Sequence, residues 1–120
     1  MIDVILDNHM HLRRDGKYLD AVKEFKKHGG THLIIAQYPM PALVAQERSY
    51  TGIYQETVKM AEEVREKTNV KAFVTVGPYP ADYLYFKDKF GREEAIKLMK
   101  KGMEEAVKLC LENPLCVGIG

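Results

Sequence analysis

The sequence predicts an α/β fold, with parallel strands alternating with helices in the order β-α-β-α-β-α-β. Three observations carry that expectation. Short apolar runs and helical-period stretches take turns along all 120 residues. Such alternation favours parallel strands joined by right-handed crossovers. The longest irregular stretches follow the second and third strands, whereas the turns after helices, at residues 29–31 and 113–115, are short. That asymmetry loads function onto the C-terminal ends of the strands, where both open doubly wound sheets and (β/α)₈ barrels place their chemistry.

Taken in order, Ile2 to Leu6 is apolar except for Asp3, and predicts a strand over residues 2–7 buried on both faces. Tyr18, Ala21, Val22 and Phe25 recur at helical spacing and predict a helix over 18–28, stopped by Gly29-Gly30. His32 to Ala36, "HLIIA", predicts the second strand. Residues 37–51, with two prolines and no clean period, read as a loop. Residues 52–67 predict a helix whose inner face is Tyr54, Val58, Ala61 and Val64, closed by Asn69. "VKAFVTV" predicts a strand over 70–77, and "GPYPADYLYFKDKFG" a long, partly helical connection. The longest helix is expected over 92–112, with Ile96, Met99, Met103, Ala106, Val107 and Cys110 on its apolar stripe. "CVGIG" predicts a fourth strand over 116–120.

Composition excludes several classes. Hydrophobic residues make up 46% and charged residues 29%, a globular balance, and the formal net charge is +1. Nothing in that charge argues for nucleic acid or an anionic membrane surface. No apolar run approaches the ~20 residues of a membrane span, and no signal-peptide pattern opens the chain. Cys110 and Cys116 do not make a paired zinc motif and read as buried thiols in a reducing, cytoplasmic setting. Tyr83, Tyr85, Phe86 and Phe90 read as a core-facing lid rather than a base-stacking set.

The stretch "DNHMHL" at the exit of the first strand is the strongest chemical signal. Side chains alternate along extended backbone, so Asp7, His9 and His11 share a side. Two imidazoles converging beside a carboxylate suit a metal. Asp7 then either orients a ring N–H, as a carboxylate behind a metal-binding histidine does, or caps nearby backbone. Gln37 and Tyr79, at the mouths of the second and third strands, are candidate pocket residues, as is Tyr38. His28 at a helix end and His32 at a strand start read as structural.

These stretches, together with "AVKEFKKHGGTHLII", "VKAFVTVGPYP" and the closing "VGIG", resemble the TatD-type metal-dependent hydrolases of the amidohydrolase superfamily, their archaeal branch above all. The resemblance implies a (β/α)₈ TIM barrel, of which these 120 residues make about the N-terminal half. It also implies that His9 and His11 are the first ligands of a divalent metal, whether zinc, manganese or magnesium. The remaining ligands would be a glutamate after strand four, histidines after strands five and six, and an aspartate after strand eight. "VGIG" matches the lead-in to that glutamate, so the chain is expected to end one residue before it. Where relatives carry Gly-x-His-Pro after strand three, this chain has Gly77-Pro78-Tyr79-Pro80.

By that resemblance the parent enzyme turns metal-activated water on a phosphoester, phosphodiester or amide-type bond in a small-molecule or phosphoester substrate. The 120 residues alone lack the general base and most ligands, and are expected to be inactive. Two other readings compete. One is a non-catalytic half-barrel that self-associates through its open edges. The other is an open-sheet α/β binding domain without metal.

Overall fold

A computed structural model describes residues 3–120. Four parallel strands form one sheet in the order β1 (Leu6–Met10), β2 (His32–Ala36), β3 (Lys71–Val76) and β4 (Cys116–Ile119). Between them run α1 (Leu19–Lys27), α2 (Pro41–Glu47), α3 (Thr51–Thr68), α4 (Asp82–Phe90) and α5 (Arg92–Glu112). Sequential strands lying side by side in one parallel sheet, each joined through helices, are the arrangement of part of a TIM barrel. Among the described residues no helix is long and apolar enough to cross a membrane.

The core lies between the sheet and its helices. Leu33 and Ile35 of β2 and Ala72, Val74 and Val76 of β3 are buried, whereas the alternate residues Ile34, Phe73 and Thr75 are only half-buried. This period of two shows a sheet with one covered face. Tyr54, Val58, Ala61 and Val64 of α3 are all buried, as their spacing predicts. Asn69 ends α3 with φ 62° and Gly29 follows α1 with φ 97°, each supplying the left-handed residue that closes a helix.

Several elements depart from expectation. The first strand was expected at 2–7 but runs Leu6–Met10, so it contains His9; Ile2 lies outside the described residues. Nor is it buried on both faces: Val4, Ile5 and Leu6 are 59%, 40% and 49% exposed. The reason is position, since β1 is a sheet edge paired with β2 alone. The expected loop at 37–51 contains α2, and Pro41 occupies its first turn, where the missing N–H costs nothing. The connection after β3 holds α4, in which Phe86 is buried and Tyr83 and Phe90 pack on the core, but Tyr85 is exposed.

In α5 the buried stripe is Ala95, Leu98, Gly102 and Ala106. Met103 and Val107, expected in the core, are 45% and 42% exposed. The helix is apolar on two faces, and the face with small residues wins because it admits large neighbours. A Cβ on Gly102 would lie 2.5 Å from the Tyr50 ring and 2.9 Å from Pro78.

Candidate functional site

The site begins with an irregularity in β1. Asp7 pairs with Leu33 and Met10 with Ile35, so the β1 segment between these pairs is one residue longer than its β2 counterpart. The Asp7 carboxylate accepts the His9 backbone N–H at 3.0 Å. That bond takes the amide out of the regular ladder and sustains the bulge. Bulges next to functional sites commonly re-aim a side chain.

Beyond the bulge the two imidazoles meet. Their Nε2 atoms are 3.2 Å apart, with ring centroids 4.8 Å apart and planes at 89°. His11 is held from behind: its Nδ1 lies 2.9 Å from the Ala36 carbonyl at the end of β2. A carbonyl oxygen only accepts, so His11 Nδ1 carries the proton and donates. His11 Nε2 then turns its lone pair toward His9. The partner that fixes this tautomer is Ala36, not Asp7, whose carboxylate caps backbone instead.

Two nitrogens bound to one zinc at about 2.0–2.1 Å lie about 2.9 Å apart at a right angle and about 3.4 Å apart at the tetrahedral angle. The observed 3.2 Å falls between these limits. Without a cation, His9 Nε2 must donate to His11; with one, both lone pairs can converge on it. The donor pair therefore fits a divalent metal. It does not complete a shell, since among the described residues no three His, Cys, Asp or Glu side chains cluster to hold one.

His9, His11, Gln37 and Tyr79 line one cavity of about 540 Å³, with Tyr38, Pro78 and Gly120 among its other walls. Every strand exit contributes. The Gly120 N–H donates to the Val76 carbonyl at 3.1 Å, which carries the β3–β4 pairing to the rim. Gln37 Oε1 accepts the Gly77 N–H at 3.1 Å and ties the exits of β2 and β3 together. Tyr79 is half exposed. Asp7 stands apart from the cavity.

Sequence reasoning missed two contributors. The Ala36 carbonyl is a main-chain atom and leaves no residue signature. The Arg13 guanidinium sits 5.0 Å from the centre of the Tyr38 ring, which in turn meets His11 edge-on at 5.8 Å. His28 and His32 lie at the opposite rim, bonded to the Glu24 carbonyl and the Thr31 hydroxyl.

Uncharacterized protein MJ1127 of Methanocaldococcus jannaschii is 30% identical over 118 residues, covering 97% of this chain and 40% of the relative. The chain thus spans about two fifths of the length of the curated relative it matches. No solved structure matches it. The model of the family described as TatD related DNase matches residues 6–120. Because that match starts with β1 and takes in every strand and helix above, the chain belongs to the TatD-related DNase family.

Proposed function

We propose that this chain supplies the first two metal ligands, His9 and His11, of a divalent-metal-dependent hydrolase. The family is one of hydrolases. The observation that carries the reading is the pair of Nε2 atoms 3.2 Å apart, one with its tautomer locked by Ala36. A divalent cation held by His9 and His11 would supply Lewis acidity, making bound water a better nucleophile and polarising the bond to be cleaved. The chain's own residues do the positioning. Ala36 holds the His11 ring, the Asp7 bulge aims His9, and Gln37, Tyr38 and Tyr79 shape the cavity that receives the scissile group. A phosphoester, phosphodiester or amide-type bond suits this chemistry. Zinc, manganese and magnesium are the candidate ions.

Calorimetric titration of each ion into the native chain, His9→Ala and His11→Ala tests the reading. Either substitution should weaken binding of the preferred ion by about tenfold or more. Equal affinity in all three proteins would sink it. With two imidazoles and, among the described residues, no carboxylate clustered with them, the 120-residue chain by itself should show little or no hydrolysis.

Self-association is a second reading with its own support. The β1 side exposes Val4, Ile5 and Leu6, β4 exposes Val117 and Ile119, and α5 exposes Met103, Val107 and Leu111. Burial of such surface stabilises association by about 25 cal/mol per Å². Two copies, or this half and a C-terminal half, would cover it. A single monomer mass by sedimentation at high concentration would exclude pairing of copies.

A further inference from the structure

Gln37 is the one polar side chain lining the cavity that is more than nine-tenths buried, at 7% exposure. It is doubly tied to β3. Its backbone N–H donates to the Thr75 carbonyl at 3.2 Å, and its side-chain Oε1 accepts the Gly77 N–H at 3.1 Å. The second bond settles the orientation of the amide. A backbone N–H can only donate, so the atom facing Gly77 must be the oxygen. The NH₂ group is then the free end. Among the described residues it has no protein partner, yet no fully enclosed side-chain nitrogen or oxygen is left unpaired. Nε2 is therefore not fully enclosed, and the side chain that carries it lines the cavity.

Beside the two imidazoles the cavity wall offers this fixed amide donor, and an N–H donor complements an oxyanion. Glutamine also brings its two N–H groups without charge, so an oxyanion can be held without a competing ion pair.

We propose that Gln37 is a substrate-binding residue whose Nε2 donates to a non-bridging oxygen of a phosphate ester seated in the His9/His11 cavity. This rests on the reading of that cavity as a hydrolase site. Gly77 acts through Gln37, by holding the amide so that its donor end faces the substrate.

The test uses the full 120-residue chain, isotope-labelled, with inorganic phosphate as the probe and a chelator present. The Gln37 side-chain NH₂ signal should shift and saturate on titration. Gln37→Glu keeps an oxygen for the Gly77 amide and exchanges the donor for an anionic acceptor. It should weaken phosphate binding by about tenfold or more, with the Gly77 amide still protected from exchange. An unmoved Gln37 signal at saturating phosphate would overturn the proposal without any variant having to fold. So would a Gln37→Glu protein that binds phosphate as the native chain does. Zinc titration, run separately, keeps the two readings apart. Zinc binding without a Gln37 response sinks only this proposal, and a Gln37 response without zinc binding sinks only the metal assignment.

Discussion

The Tyr50 hydroxyl donates to the Asp82 carboxylate across 2.7 Å, joining the turn before α3 to the first turn of α4, and both residues are almost wholly buried. Burial pushes the Asp82 carboxyl above the usual range, and the Tyr50 bond offsets part of that rise. Tyr50→Phe leaves the carboxylate without its donor and should cost about 1–3 kcal/mol at neutral pH. The sign with pH follows. A raised carboxyl binds its proton more tightly in the folded chain, so folding is favoured as pH falls toward the unfolded value of 3.8. The penalty of Tyr50→Phe should therefore shrink on acidification, read as converging urea midpoints of mutant and native protein.

Glu105 should behave in the opposite sense. Burial raises its carboxyl, but hydrogen bonds from the Ser49 and Thr51 hydroxyls and the Tyr50 backbone amide outweigh burial and leave it below 4.5. Its contribution to stability is present above pH 4.5 and is lost as pH falls through its depressed folded value. Glu105→Gln should be less stable than native at pH 7 and should show a shallower loss between about pH 5 and pH 3. Parallel pH profiles would contradict the role of Glu105 in holding the start of α3.

Gly102→Ala tests the close approach of α5 to the rim. The added methyl would meet the Tyr50 ring and Pro78, both held by the surrounding core. Overpacking of this kind costs about 1–3 kcal/mol. The displacement reaches the site through Pro78, so zinc affinity should fall along with the urea midpoint. Gly91→Ala is the contrast: nothing lies within 4 Å, and only its φ of 87° opposes the substitution. It should lower stability and leave zinc affinity unchanged.

Asp7 offers a test of the bulge. Asp7→Ala removes the acceptor of the His9 amide and should reduce metal affinity by about tenfold. Asp7→Asn retains a carbonyl oxygen for that amide and should restore most of it. If Asn were as damaging as Ala, the charge of Asp7 rather than its backbone bond would be what the site needs.

Much of this architecture is legible in the sequence, and the exceptions share a cause. The inner face of α3 announces itself because Tyr54, Val58, Ala61 and Val64 recur at helical spacing and are buried. α5 misleads because Met103 and Val107 are bulky yet exposed, while Ala95, Gly102 and Ala106 are buried beside Leu98. There, closeness of approach at Gly102 decides, and side-chain size alone does not mark the inner face. Pro41 reads as a breaker when it is a helix start, since the same missing N–H permits both. In β1 the apolar run and the hydrogen-bonded run are offset. The Ile5 carbonyl already accepts the Thr31 and His32 amides, so pairing with β2 sets where the strand lies. The histidine pair is visible from its spacing of two. What locks it, the Ala36 carbonyl, is common to every residue type and so carries no letter of its own.

The bond from His11 to Ala36 also bridges a seam. It joins a ring just beyond β1 to the main chain of β2, while the surrounding β1 side chains are largely open to solvent and those of β2 are deeply packed. Chemistry and architecture therefore have different breaking points. Loss of the edge strand would part the imidazole pair from Ala36 before it reached the interior built on Leu33 and Ile35.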